Sequence, residues 1–303
     1  MSRLPRAGKI SLAARKDIRD SWEIPRGEYV EMLSRVLGQP WTVAVDPWAL
    51  YPYAQNCGYE TSVGELIARY ISGVFDLLRD FVDRNGNEAR DEINEICHAH
   101  AITIDCDETK TISYCAVKVS SEGQLVILFN EQSLGFNAFE AADNNNLTKA
   151  LNDAPSPRLM SFIARMSIRD SYNNYIAKIQ EMLKEMLKQD IFLVPNFEAN
   201  FEKLKSSSDS NSGWERNFGN AHLAYFNGLV DQLKYEKFGE EDMLREGLRE
   251  GMDKRAIHIR LVDQTKRSFN EVVIEGGVLC LQTTPRDFGV NTSQVATDIV
   301  NIL

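Results

Sequence analysis

A twenty-residue stretch of this chain occurs twice. Trp214-Glu-Arg-Asn-Phe-Gly-Asn-Ala-His-Leu-Ala-Tyr-Phe-Asn-Gly-Leu-Val-Asp-Gln-Leu233 lies without a gap against Tyr59-Glu-Thr-Ser-Val-Gly-Glu-Leu-Ile-Ala-Arg-Tyr-Ile-Ser-Gly-Val-Phe-Asp-Leu-Leu78. The two share Glu60/Glu215, Gly64/Gly219, Tyr70/Tyr225, Gly73/Gly228, Asp76/Asp231 and Leu78/Leu233. Tyr59/Trp214, Val63/Phe218, Ile71/Phe226 and Val74/Leu229 exchange like for like. A self-match at a fixed period constrains a fold before any other feature, because both copies must build the same supersecondary unit.

The match extends in both directions. Ser11-Leu-Ala-Ala-Arg-Lys-Asp-Ile-Arg-Asp-Ser-Trp22 answers Ser161-Phe-Ile-Ala-Arg-Met-Ser-Ile-Arg-Asp-Ser-Tyr172, and Glu31-Met-Leu33 answers Glu181-Met-Leu183. Towards the far end Gly135-Phe-Asn137 answers Gly289-Val-Asn291. The offset drifts from 150 to 155 residues across Ser206-Ser-Ser-Asp-Ser-Asn-Ser212, which reads as a surface loop of the second copy. The order of matches predicts two tandem repeats, 11–153 and 158–303, joined by Asp153-Ala-Pro-Ser-Pro157. Each is of ordinary domain size.

Periodicity assigns the elements. Residues 11–23 read as a helix stopped by Pro25, and 26–37 as a second helix ended by Gly38. Trp41–Val45 reads as a short strand. Asp46 followed by Pro47 marks the cap and first position of another helix. Val63, Ile67, Tyr70, Val74, Leu78 and Phe81 keep the 3.6-residue period of a core-facing helix. Asp83-Arg-Asn-Gly-Asn87 reads as a turn before a further helix. The period then becomes two, through Ile102/Ile104, Ile112/Tyr114/Ala116 and Leu125/Ile127/Phe129, which predicts an antiparallel meander. A helix near 138–152 closes the copy. The second copy repeats the order: helices over 158–188, a strand at 191–194, helices at 197–205, 214–235 and 240–252, and alternation at Ile257/Ile259/Leu261, Val272/Ile274 and Leu279/Leu281. A last helix is expected at 293–303. The expected fold class is α+β, two tandem copies of one unit, each with helices packed on a small, mostly antiparallel sheet.

Candidate chemistry can be weighed across the two copies. Cys97-His98-Ala99-His100, with Cys106, has the look of a metal site, but its counterparts Met252, Asp253, Arg255 and Leu261 do not. His222 answers Ile67 and His258 answers Thr103. Zinc needs four ligands at recognisable spacings, which these residues lack. Asp83–Asn87 begins like a calcium loop, yet its glycine stands fourth rather than sixth and Asn94 occupies the twelfth place, where glutamate is required. Arg19-Asp20 and Arg169-Asp170 recur, and read as ties between neighbouring helices. Gly73 and Gly228 stand mid-helix, where glycine costs about 1 kcal/mol against alanine, so their recurrence implies close approach of another backbone. Nucleotide-binding glycine loops, the Gly-x-Ser-x-Gly elbow and His-Glu-x-x-His are absent from the sequence. No catalytic, cofactor-binding or metal-ligating residue is therefore assigned.

Composition narrows the partners. Thirty-four Lys and Arg against forty-four Asp and Glu leave a net charge of −10, which repels nucleic-acid phosphates and anionic lipid. No apolar run reaches the ~18 residues of a membrane span. The opening Met1-Ser-Arg-Leu-Pro-Arg-Ala-Gly-Lys9 has charge but no apolar segment behind it, so no classical secretory signal is expected. Cys57, Cys97, Cys106, Cys115 and Cys280 are too scattered for a disulfide framework, which suits a reducing, cytoplasmic setting.

Several stretches carry a resemblance. Asp20-Ser-Trp22 followed by Leu37-Gly-Gln-Pro-Trp-Thr-Val43, then Val194-Pro-Asn-Phe-Glu-Ala-Asn-Phe201 and Lys237-Phe-Gly-Glu-Glu-Asp-Met-Leu244, resemble the sclerotium-specific, or development-specific, proteins of filamentous fungi. The resemblance covers nearly the whole chain. It implies a non-enzymatic storage protein of fungal resting structures, self-assembling into paracrystalline or other storage bodies, with itself as partner and no cofactor. Its motifs are not catalytic, so it carries over a role and no site residues. The competing expectation is an enzyme or small-ligand binding protein with its site in the cleft between the two repeats.

Overall fold

The computed structural model describes residues 4–155, 158–266 and 269–303. The protein is α+β, with helices and two four-stranded mixed sheets. The chain divides into two compact units, Met1–Pro157 and Arg158–Leu303. The end of the expected linker, Ser156-Pro157, lies outside the described residues.

In the first unit, α1 (Leu12–Asp17) begins where the Ser11 hydroxyl accepts the Ala14 amide at 3.1 Å. A π-helical turn, Ile18–Glu23, follows, and then α2 (Arg26–Leu37), ended by Gly38 in the left-handed region at φ 72°. β1 is Thr42–Val43. Asp46 caps α3 (Pro47–Asn56) by accepting the Trp48 amide at 3.0 Å. The long helix α4 runs from Val63 to Ile96 and kinks at Gly86, where φ is 76°. The predicted turn at 83–87 is thus found at Gly86, where the backbone leaves helical geometry and a second helix begins. β2 (Ala101–Cys106), β3 (Cys115–Val119), β4 (Leu125–Phe129) and α5 (Asn144–Asp153) complete the unit.

The second unit repeats this succession. Ser161 caps α6 (Phe162–Ser167), another π-helical turn covers Ile168–Asn173, and α7 spans Ile176–Leu187. β5 (Phe192–Val194), α8 (Phe197–Ser206), α9 (Phe218–Tyr235) and α10 (Asp242–Gly251) come next, then β6 (Ala256–Leu261), β7 (Asn270–Glu275) and β8 (Val278–Thr283). The helix expected at 293–303 does not form. Two 3₁₀ turns, Thr292–Gln294 and Ile299–Ile302, stand there instead. Val295, Thr297, Asp298, Ile299, Val300 and Asn301 are all mediocre helix formers, whereas α5 has a capping Asp143 and an apolar stripe of Leu147, Ala150 and Leu151.

The meander is corrected. Strand order is β1-β2-β4-β3 in one sheet and β5-β6-β8-β7 in the other. β2 pairs parallel with both β1 and β4, and only β3 and β4 form an antiparallel hairpin. The second sheet has the same pattern. Neither sheet is mostly antiparallel. The connection from β2 to β3 is a loop gathered around Asp107, whose carboxylate accepts the amides of Thr109, Thr111 and Ile112 at 3.1, 2.7 and 3.0 Å. That loop carries the chain past the place β4 will fill.

The central helices are held by matching contacts in each unit. A Cβ built on Gly64 would lie 2.4 Å from the Asp17 carbonyl oxygen, and one on Gly219 2.2 Å from that of Ser167. A Cβ on Gly73 would meet the Phe139 Cα at 2.6 Å, and one on Gly228 the Thr292 carbonyl at 2.2 Å. The Gly64 amide donates to the Asp17 carboxylate at 2.5 Å, and the Gly219 amide to the Ser167 hydroxyl at 2.9 Å. The Tyr70 and Tyr225 hydroxyls accept the amides of Gly135 and Gly289, each at 2.9 Å. Glycine at these helix positions is therefore a requirement of packing.

Gly219→Ala is expected to destabilise the protein by about 2 kcal/mol, an overpacking cost near 3 kcal/mol less about 1 kcal/mol of helix propensity. Gly27→Ala in α2, with no atom within 4 Å of its new Cβ, should be neutral or stabilising. Urea denaturation checks both. A Gly219→Ala chain as stable as the parent would remove the close-approach account.

Candidate functional site

The residues that suggested metal chemistry are dispersed by the fold. The His98 ring lies against Gly123, while His100 places Nε2 2.8 Å from the Gln39 amide nitrogen and 3.2 Å from the Asn94 carbonyl oxygen. Cys97 is buried, and burial pushes its thiol up to about 12. Burial likewise raises Cys106 and Cys115 to about 11. Such thiols are protonated at neutral pH and poor nucleophiles. Among the described residues, no three His, Cys, Asp or Glu side chains are placed to hold a metal ion. Asp83–Asn87 sits at the kink of α4 and forms no ligand loop.

Each of the two recurrent Arg-Asp pairs forms a salt bridge between neighbouring residues. Arg19 Nε meets Asp20 at 2.7 Å and Arg169 Nε meets Asp170 at 2.6 Å, each within its own π-helical turn. Adjacent residues face each other there because the wider turn brings successive side chains closer in azimuth than an α-helix does.

The most perturbed histidine is sealed inside the second unit. His222, on α9, is wholly buried, with the rings of Phe218, Phe197 and Phe288 centred 4.5, 4.9 and 5.3 Å away. Its Nδ1 lies 2.8 Å from the Phe218 carbonyl oxygen and must donate, since a carbonyl only accepts. Its Nε2 accepts from the Asn200 amide at 3.1 Å. Asn200, on α8, shares its two amide hydrogens between this nitrogen and the carbonyls of Pro195 (2.8 Å) and Ile259 (3.1 Å), and its Oδ1 accepts the Leu261 amide at 3.1 Å. Burial lowers the imidazole to about 4, against a smaller raising effect of the Phe218 carbonyl. The ring is neutral at pH 7. This network joins α8, α9 and β6, and it has no opening to solvent at the imidazole.

Sequence reasoning singled out His222 but passed over Asn200. The signal was present: Phe197, Asn200, Phe201 and Leu204 form one helical face, and a buried amide on an apolar face must find partners. In the first unit the fourth position of α3 is Leu50, and Ile67 stands against His222. An apolar pair in one unit corresponds to a hydrogen-bonded pair in the other.

Three cavities lie elsewhere. One of about 500 Å³ opens at the carboxyl ends of the parallel strands β6 and β8, beside Lys203, Asp263, Thr284, Arg286 and Asp287. Lys203 pairs with Asp263 at 2.7 Å, and Thr284 donates to Asp287 at 2.8 Å. Its two cations face three carboxylates, counting Asp209, so it has no strong charge preference. A second, about 400 Å³, lies on the first sheet beside Thr103, Asp105 and Lys118. A third, about 810 Å³, follows α1 and its π-helical turn beside Ile10, Leu12, Arg15, Lys16, Arg19 and Trp48. None of the three is lined by a histidine or a cysteine. Among the described residues no helix is long and apolar enough to cross a membrane.

No protein-family model, curated protein or solved structure matches the chain.

Proposed function

We propose that the chain is a non-enzymatic storage protein that self-assembles, as its resemblance to the fungal sclerotium-specific proteins implies, and that its two units descend from a tandem duplication. The duplication is supported by the Tyr70–Gly135 and Tyr225–Gly289 bonds, made by residues that match in sequence. The storage role is supported chiefly by where the perturbed groups lie. The imidazole of His222 and the hydroxyls of Tyr70 and Tyr225 are shifted by burial in packing roles, and the raised thiols line none of the three cavities described above. Enzymes place such groups in clefts, with values tuned towards their working pH.

Charge then governs association. A net charge of −10 keeps molecules apart at pH 7, and mean repulsion vanishes near the sequence pI of about 5.1. Light scattering is expected to rise as pH falls from about 8 towards that pI, and as salt at pH 7 approaches physiological strength, where screening acts over about 8 Å. A chain that stays monomeric near pH 5 at high concentration, in any salt, would sink this reading. The polar cavity at the carboxyl ends of β6 and β8 favours the second reading, a small-ligand binding protein, because open sheets with parallel strands present ligands at that end. Saturable thermal stabilisation of a monomeric chain by a small polar solute would favour it.

A further inference from the structure

We propose that the basic groove along α1 docks on the acidic face of α10 of a second copy of this chain, forming a head-to-tail contact. The inference rests on the self-assembly reading and gives it a specific interface.

The two faces are complementary in spacing and sign. On α1 and the turn after it, Leu12 is followed at the third and seventh positions by Arg15 and Arg19, with Lys16 beside them. On α10, Met243 is followed at the third and seventh positions by Glu246 and Glu250. These spacings put each set on one side of its helix. Leu12 and Met243 are 74% and 78% exposed, so each face is open in its own unit. Ile24, 70% exposed, adds apolar surface near the first, and Tyr235, 77% exposed, precedes the second in sequence.

The surrounding charges reinforce the match. Arg15 and Lys16 form no ion pair among the described residues, and the groove's own carboxylate is Glu23. Arg19 is held by Asp20, so Arg15 and Lys16 carry the attraction. On α10 the basic residues turn inwards. Arg245 donates to the Phe238 carbonyl at 2.7 Å and pairs with Asp242, while Arg249 donates to the Leu187 carbonyl at 2.7 Å. Glu240, Glu241, Glu246 and Glu250 are left exposed. A basic apolar groove on a chain of net charge −10 finds its complement on another copy.

The contact joins unlike surfaces, so it is heterologous. Such contacts propagate into rings or open filaments according to whether the rotation closes. Each molecule would contribute the basic groove from its first unit and the acidic face from its second. Moderate salt screens the long-range repulsion, whereas about 1 M salt, with screening over about 3 Å, should loosen the contact itself.

Charge exchange tests the pairing, with sedimentation and light scattering read under the conditions in which the parent assembles. Arg15→Glu with Lys16→Glu should raise the concentration needed for assembly roughly a hundredfold, as like charges are brought together. Lys178→Glu with Lys205→Glu, equal in charge change but on α7 and α8 and so part of neither face, should do far less. Glu246→Lys with Glu250→Lys is the sharper arm, because it lowers net repulsion yet should weaken assembly to the same degree. All four reversals together should restore assembly to within about tenfold of the parent. Circular dichroism confirms that these exposed substitutions leave the fold intact. A parent chain that never assembles overturns both the contact and the storage reading. If the parent assembles and either paired reversal assembles as readily, the contact falls while the storage reading stands. If both reversals block assembly and the fourfold exchange fails to restore it, these two faces do not meet.

Discussion

Asn200→Leu is expected to lower stability by about 4 kcal/mol, because buried groups stripped of a hydrogen-bond partner cost about 1–3 kcal/mol each. The substitution copies the residue at the fourth position of the corresponding helix in the first unit, and keeps the same number of side-chain heavy atoms. Its cost lies mainly in the bonds, with a smaller overpacking part from the bulkier methyl groups. The amide serves Pro195, Ile259, Leu261 and His222 at once. The Ile259 carbonyl keeps the Asn196 side chain at 3.0 Å, but the Pro195 carbonyl, the Leu261 amide and His222 Nε2 lose this partner. Adding His222→Ile, to reproduce the Leu50/Ile67 pair, should recover only about 1 kcal/mol, since the backbone groups stay stranded. Equilibrium urea denaturation measures all three chains. An Asn200→Leu protein within about 1 kcal/mol of the parent would show that this network contributes little.

Acid should reveal the buried imidazole. In the unfolded chain His222 takes a proton below its ordinary value of 6.5, while in the folded protein it does so only below about 4. Between those values the unfolded state binds more protons, so stability falls as pH falls through this window and levels off beneath it. At about 1.4 kcal/mol for each pH unit, the loss is about 3 kcal/mol. Protonation would also turn a second N–H against the Asn200 amide, which is itself a donor. Carboxylates titrate in the same region, so the measurement is a difference. Relative to its own stability at pH 7, the parent should lose about 3 kcal/mol more by pH 4 than the His222→Ile chain. Parallel pH profiles for the two would rule out a neutral, sealed His222.

What the chain order alone determined was local. The Asp46 cap, the stop at Gly38 and the core stripe of α4 follow from residues within a turn or two of one another, and each is found in the structure. The repeated Gly73 and Gly228 announced a backbone contact without naming the partner. Tertiary structure supplied that partner, Phe139 in one unit and Thr292 in the other. It also decided which strands are neighbours. Alternation with a period of two reports that one face of a strand is buried, and parallel and antiparallel ladders share that period. The meander was therefore indistinguishable, from Ile102–Phe129 alone, from the order β1-β2-β4-β3. The same limit applied to Asn200. Its place on an apolar face was readable, but Ile259 and Leu261 lie about sixty residues away in sequence and come within reach only once α8 packs on β6. Local bonds are written into neighbouring residues, whereas strand partners and buried polar networks exist only after the whole unit has closed around them.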